Sequence, residues 1–140
     1  MGRVGYPPVQ EFQVTTERKT QLVDITASVR DAVGSDAGGS AVLVYVPHTT
    51  AGVTINEKID PDLLDDFEMA LKAIADESWS WKHVDADGPN APSHLRASLL
   101  GPQVLVPLRD GELGLGTYQG IFFCEFDGPR SRKVYVSTLI

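Results

Sequence analysis

The feature that most constrains the fold is an uninterrupted apolar run from Ala41 to Val46, rich in β-branched side chains. Such a run is typical of a strand that is covered on both faces. A second apolar run, Gly120 to Phe126, predicts another core strand. At 140 residues, the chain is long enough to bury roughly two-thirds of its unfolded surface. We therefore expect a single domain over residues 1–140, with residues 1–8 as a loosely held lead-in.

Shorter segments in which apolar and polar side chains alternate predict further strands around these two runs. Asp110-Gly111 is a hairpin signal between two of them. The strand at residues 41–46, a polar turn and a returning strand at residues 53–56 are expected to form one unit, which would bring Asn56 and Glu57 to the same side as His48. The predicted strands are residues 9–16, 21–25, 41–46, 53–56, 104–108, 113–117, 120–126 and 133–140.

One long helix is predicted by Asp60-Pro61, which is typical of a helix start, and by apolar side chains at helical spacing up to about Ser78. The acidic side chains between residues 60 and 66 fit the helix dipole, so we do not expect a metal ion there. Two shorter helices are expected over residues 27–33 and 93–100, the latter capped by Ser93 or Ser98.

Charge and cysteine content restrict the possible partners. Twelve basic and nineteen acidic residues give a net charge of -7, and a field of this sign disfavours nucleic acid. No apolar segment approaches the roughly 18 residues of a membrane helix, and the first residues lack the apolar core of a signal peptide. The single cysteine, Cys124, predicts no disulfide framework. We therefore expect a cytoplasmic protein with neither a nucleic-acid nor a membrane partner.

Three histidines, His48, His83 and His94, are the first candidates for chemistry. Neutral imidazoles bind zinc and similar ions, and three protein ligands with an open fourth position describe a catalytic zinc site. Their spacing matches no ligand signature, because His83 and His94 are eleven residues apart and His48 lies far upstream. From spacing alone, three unrelated histidines remain the open alternative.

Glu125 is a carboxylate inside the second apolar run. In a low-dielectric cleft its pKa would be raised and it would serve as a general base, whereas the alternative is a side chain that faces solvent. Thr117 and Gln119 belong to a glycine-containing segment that would hold a polar substrate group or simply bend a strand. Thr49 and Thr50 have two similar interpretations, substrate contact or hydroxyls that satisfy a turn.

Several separate motifs together resemble the YjbQ family, also called the secondary thiamine-phosphate synthase family. They occur in the family's order, with similar spacing, over nearly the whole chain beyond residue 10. Tyr118 departs from the pattern, because the family usually has tryptophan there. The matching residues are His48-Thr49-Thr50, Asn56-Glu57, His83, His94 and Gly116-Thr117-Tyr118-Gln119.

The resemblance implies an α+β fold of antiparallel, sandwich-like sheets with one long and one or two short helices, assembled as a homotrimer. It also implies that His48, His83 and His94 share one pocket. We expect that pocket to hold a divalent metal ion, zinc or magnesium, and to have Gln119 and Glu125 on one of its walls.

The implied activity is that of a thiamine-phosphate synthase, which joins a pyrimidine diphosphate to a thiazole phosphate and releases pyrophosphate. The leaving group needs positive charge, from the ion or from the basic residues at 130, 132 and 133. The alternative is a metal- or small-anion-binding protein with only incidental catalysis. The expected catalytic residues are His48, His83, His94 and Glu125, and the expected substrate-binding residues are Thr49, Thr50, Asn56, Glu57, Thr117 and Gln119.

Overall fold

The computed structural model describes residues 8–35, 37–84 and 88–140, so nearly all of the predicted lead-in lies outside the described residues. No helix in these ranges is long and apolar enough to cross a membrane. The elements formed within them are β1 (Gln10–Thr15), β2 (Gln21–Asp24), α1 (Thr26–Val33), β3 (Ala41–Tyr45), β4 (Ala51–Glu57), α2 (Pro61–Ala73), α3 (Ala91–Leu100), β5 (Gln103–Arg109), β6 (Glu112–Leu113), β7 (Gln119–Glu125) and β8 (Ser131–Leu139).

The strands form two antiparallel sheets that enclose a core. The larger sheet has the order β1-β8-β3-β5-β6, and the smaller one has the order β2-β7-β4. Val42 and Val44 of β3 are fully buried, and they belong to one core cluster with Val53 of β4 and with Ile121 and Phe123 of β7. The predicted α+β fold with sandwich-like antiparallel sheets is confirmed.

Of the two apolar runs, only β7 is covered on both faces. Phe123 lies in the core between the sheets, whereas Phe122 and Cys124 pack on the other face with side chains of α2 and α3. Burial raises the pKa of the Cys124 thiol to about 12. The same prediction for β3 is wrong, because Tyr45 is 39 % exposed and Leu43 is only partly buried on the outer face.

α2 begins as predicted, with Asp60 at the N-cap, but it ends at Ala73 rather than at Ser78. Arg96 is 1 % exposed. Its guanidinium donates at 2.9–3.1 Å to the carbonyl oxygens of Lys72, in the last turn of α2, and of Ile74 and Ala75, just beyond it. Ala75 takes a φ of 63° and turns the chain away. The helix stops there because a guanidinium from α3 occupies the carbonyl oxygens that end it.

α3 is fastened to the end of β7, and this fixes the position of its first turn. Asn90 is the N-cap, so the predicted capping by a serine is wrong. Ser93 is instead fully buried, and its hydroxyl donates to the Phe126 carbonyl oxygen at 2.6 Å. On the other side α3 lies so close to β4 that a Cβ on Gly52 would approach the Gly101 carbonyl oxygen to 2.7 Å.

The predicted hairpin at Asp110-Gly111 is confirmed. These two residues have φ values of 52° and 79° and connect the antiparallel strands β5 and β6, as a tight hairpin turn requires. The returning strand is shorter than predicted, because β6 comprises only Glu112–Leu113.

Candidate functional site

A cleft of about 700 Å³ lies where the β3–β4 turn, the start of α3 and the β7–β8 connection meet. Each of these segments ends or begins an element that packs against the end of β7, so side chains from distant parts of the sequence converge there. Among the described residues, the polar side chains of the lining include His48, Thr49, Thr50, His83, Asn90, His94, Asp127, Arg130 and Arg132.

The structure brings all three histidines together along this cleft. The rings of His83 and His94 meet edge to face, with centroids 5.1 Å apart and an interplanar angle of 87°. His48 stands apart from this pair in its bonding, because its Nε2 accepts the backbone N–H of Lys133 at 2.9 Å. The three histidines therefore line one cleft, whereas their chemical roles stay predictions.

His48 is held in its neutral form. Burial lowers the pKa of its imidazole from the ordinary 6.5, and the positive charge of Arg132 lowers it further. Both effects disfavour a second proton on the ring. At neutral pH His48 is therefore an uncharged imidazole in the cleft wall.

Glu125 lies behind the cleft wall and has no exposed surface. Its carboxylate accepts two hydrogen bonds from the Arg132 guanidinium, one of them from Nε at 2.8 Å. It also accepts from the Thr16 hydroxyl at 2.8 Å and from the backbone N–H groups of Phe126 and Asp127 at 3.0 and 2.9 Å. Five donors therefore converge on one buried carboxylate.

The raised pKa predicted for Glu125 is wrong in direction, and so is the alternative of a solvent-facing side chain. Burial by itself raises the pKa of this carboxyl, but the hydrogen bonds from Arg132, Asp127 and Thr16 and the charge of Arg132 outweigh burial and lower the pKa below 4.5. An ionised carboxylate whose lone pairs are all engaged is suited to holding Arg132 in place rather than to moving protons.

Arg132 is the charged group that Glu125 holds. Its side chain is 5 % exposed, yet it lines the cleft. Nε and Nη2 are used by Glu125 and by Thr50, whose hydroxyl accepts at 2.8 Å. Within the described part of the chain, no residue accepts a hydrogen bond from Nη1. The structure thus contains a charge-balanced guanidinium with unused N–H groups at a cleft wall.

Asn90, Asp127 and Arg130 were not predicted as one group. The Asp127 carboxylate accepts from the Asn90 amide at 3.1 Å and from Arg130 Nη2 at 2.8 Å, and Arg130 Nε donates to the Asp127 carbonyl oxygen at 2.7 Å. A signal for part of it was present in the sequence, because Asp127 and Arg130 flank a Gly-Pro turn as an oppositely charged pair. Asn90 gave no such signal, since it lies far upstream in a loop.

Four predicted substrate-binding residues lie at the opposite end of the smaller sheet. β4 and β7 pair Ala51 with Glu125 at the cleft end, and the six steps of a strand from residue 51 to residue 57 span about 20 Å. The expectations that β4 returns its polar end to the side of His48, and that β7 places two predicted residues on one wall, are therefore wrong. The four residues are Asn56 and Glu57, which end β4, Gln119, which begins β7, and Thr117, which lies two residues before it.

At that far end the glycine-containing segment forms a turn. The Gln119 side-chain oxygen accepts the backbone N–H of Gly116 at 2.8 Å. The carbonyl oxygen of Tyr118 accepts from Lys58 N–H at 2.9 Å, while the residue as a whole is 64 % exposed. This segment is not part of the cleft lining.

The described side chains form no ready-made group of ligands for the predicted metal ion. Among the described residues, no group of three or more histidine, cysteine, aspartate or glutamate side chains is placed to hold one. The Nε2 lone pair of His48 is already used by the Lys133 N–H. The donors at this cleft fit hydrogen bonding, and a divalent ion on His48, His83 and His94 stays a prediction.

The comparisons with known proteins agree on one family. Residues 10–140 match the family model described as UPF0047 protein YjbQ-like. A UPF0047 protein of Methanocaldococcus jannaschii is 39% identical over 130 residues, which are 92% of each chain. A UPF0047 protein of Archaeoglobus fulgidus is 43% identical over 129 residues, which are 92% of this chain and 99% of the other.

Solved structures support the same assignment. A YjbQ/UPF0047 family protein of Clostridium acetobutylicum has a TM-score of 0.84 and 41% identity, covering 93% of this chain and 99% of its own. A protein of unknown function from Sulfolobus solfataricus has a TM-score of 0.85 and 37% identity, covering 94% and 95%. The chain therefore belongs to the YjbQ-like UPF0047 family.

Proposed function

We propose that the cleft binds the phosphate or diphosphate group of a small molecule. The observation that supports this most strongly is Arg132, which lines the cleft, is held by Glu125 and Thr50, and has no acceptor for its Nη1 within the described residues. A guanidinium offers paired N–H groups in the geometry that phosphate oxygens accept. Because its position is set before a ligand arrives, little side-chain entropy is lost on binding.

The charge distribution fits directed hydrogen bonding to such a group. Arg130, whose side chain is 46% exposed, lies at the same cleft and would supply a second guanidinium. Both arginines are paired with carboxylates, Arg132 with Glu125 and Arg130 with Asp127. Binding would therefore depend on well-placed N–H donors more than on a large net positive charge.

The finer function that we propose for this cleft is a transferase of the thiamine-phosphate synthase type, following the resemblance of its motifs. The C–O bond between a pyrimidine-bearing carbon and pyrophosphate breaks, the pyrophosphate keeps the electron pair, and the thiazole nitrogen forms the new bond to that carbon. This reaction needs positioning and stabilisation of the leaving group rather than a protein nucleophile. Arg130 and Arg132 would receive the pyrophosphate, and His83 or His94 would protonate it.

We also propose that the protein works as a homotrimer. One supporting feature is the outer face of the larger sheet, where Tyr45 is 39% exposed and Leu105 is 57% exposed. Another is the group of polar residues at the far end of β4 and β7, which a neighbouring copy would bring towards a cleft. Light scattering at micromolar concentration should give the mass of three chains, and the mass of one chain would contradict the proposal.

Phosphate binding is tested by calorimetry with inorganic pyrophosphate. Arg132→Lys keeps the positive charge beside Glu125 but removes the forked N–H groups, so we expect affinity to fall about tenfold or more. Arg109→Lys, an exposed position at the end of β5, is the matched control and should bind like the wild type. Equal affinities for the wild type and Arg132→Lys would contradict the proposal, provided that both proteins melt cooperatively.

Catalysis is tested in a metal-defined assay of pyrophosphate release from the pyrimidine diphosphate and the thiazole phosphate. If His94 protonates the leaving group, His94→Ala should reduce turnover about 100-fold or more. Turnover that survives this change undiminished would remove His94 from the reaction.

A small-anion-binding protein without turnover is the second candidate. One observation favours it, because Arg132, held by Glu125 and Thr50, is sufficient for binding an anion and requires no reacting group beside it. In that case pyrophosphate would raise the melting temperature of the wild type, whereas the assay would detect no product.

A further inference from the structure

His48 is fixed in one tautomer by the backbone. Its Nε2 accepts the Lys133 N–H at 2.9 Å, so Nε2 has no proton of its own. In a neutral imidazole the proton is then on Nδ1. Turning the ring over would place a carbon against the Lys133 N–H and lose the hydrogen bond. The Nδ1–H group is therefore a donor.

The surroundings oppose a doubly protonated ring. An imidazolium would direct a second N–H at the Lys133 N–H, and it would stand beside the positive charge of Arg132. Glu125 is a negative group near His48, but its carboxylate is engaged by five hydrogen bonds. The donor on Nδ1 thus belongs to a neutral ring.

Within the described ranges of the chain, the Nδ1–H of His48 has no acceptor, although the residue lines the cleft together with Arg132. We infer that His48 donates this N–H, as a neutral imidazole, to a phosphate oxygen of the bound molecule. The inference rests on the proposed phosphate binding and assigns His48 a role within it. Since neither nitrogen keeps a free lone pair, His48 is neither the base nor a metal ligand, and proton transfer is left to His83 and His94.

Two substitutions at His48 distinguish the role of Nδ1 from that of Nε2. The amide of His48→Asn reaches the position of Nδ1 and keeps a donor there, whereas the amide of His48→Gln reaches the position of Nε2 and keeps only the acceptor for Lys133. With inorganic pyrophosphate in calorimetry, we expect His48→Gln to bind about tenfold more weakly than the wild type, and His48→Asn to remain within about threefold. Equal losses in both variants, or the opposite order, would overturn the inference.

Nuclear magnetic resonance on the wild type gives a result that needs no variant and covers the case in which a variant does not fold. With ¹⁵N-labelled histidine, Nδ1 should show the shift of a protonated nitrogen and Nε2 that of an unprotonated one, and pyrophosphate should move the Nδ1 signals. A proton on Nε2, or an Nδ1 signal that pyrophosphate leaves unchanged at saturation, would overturn the inference. If pyrophosphate does not bind at all, the proposed function fails and the donor role fails with it, whereas the tautomer is still read from the free protein.

Discussion

Replacing Glu125 by glutamine tests whether a buried ion pair holds the anion-binding wall. The substitution keeps the shape of the side chain but removes its charge and one acceptor oxygen. Arg132 would then keep a positive charge, with a side chain only 5 % exposed, without its carboxylate. At least one of the N–H donors that now point at Glu125 would face an amide NH₂ group instead.

The expected magnitude follows from these contacts. Breaking a buried pair by removing one partner costs about 3–5 kcal/mol, because an uncompensated charge stays buried. For a chain of this length such a loss lowers the melting temperature by about 10 °C or more. Urea unfolding of the purified proteins measures the free energy directly.

Two variants complete the experiment. Glu11→Gln removes an exposed carboxylate from β1 and should change stability by less than about 0.5 kcal/mol. Glu125→Gln combined with Arg132→Met removes both charges, and it should be more stable than Glu125→Gln alone. A loss below about 1 kcal/mol in Glu125→Gln, or a double variant that is less stable still, would refute the argument that the pair is buried and mutually dependent.

Three further outcomes are expected. The pKa of Glu125 is lowered from 4.5, so the ionised carboxylate stabilises the folded protein fully above that pH and loses this effect as the pH falls through the folded-state pKa. The difference in unfolding free energy between the wild type and Glu125→Gln should therefore shrink when unfolding is measured below about pH 4.5. Gly128→Ala should cost about 1–3 kcal/mol in urea unfolding, because its Cβ would clash with the Arg18 carbonyl oxygen and would meet Glu125 Cγ and Thr16 Oγ1 at 2.8 Å. Gly38→Ala, with open space around it, should be nearly neutral. If N–H donors alone bind the anion, removing divalent ions with a chelator should leave the affinity for pyrophosphate unchanged in calorimetry. A loss of affinity that zinc or magnesium restores would instead favour a metal ion bound to the histidines.

Local patterns in the sequence were sufficient for most elements of the fold. Alternation of apolar side chains located the strands because a strand that is covered on one face must alternate. The helix start at Asp60 and the hairpin turn at Asp110-Gly111 were predicted correctly, because both features depend on residues that are neighbours in the sequence. The prediction failed where contacts between distant residues determine the structure. α2 ends early because Arg96 of α3 donates hydrogen bonds to the carbonyl oxygens at its end.

For the candidate site, too, some features could be predicted from the sequence and others depended on the tertiary structure. The sequence by itself supplied the family motifs, the three histidines and the carboxylate in the apolar strand, because residue types and their order are visible without a fold. Only the tertiary structure decided that the histidines line one cleft and that Asn56 and Gln119 lie at the far end of the sheet. It also reversed the expected pKa shift of Glu125, because desolvation is opposed by Arg132, which the chain brings back through the β7–β8 connection. A pKa depends on the charges and hydrogen-bond donors within a few ångströms, and those neighbours are set by strand pairing, which the alternation of side chains does not specify.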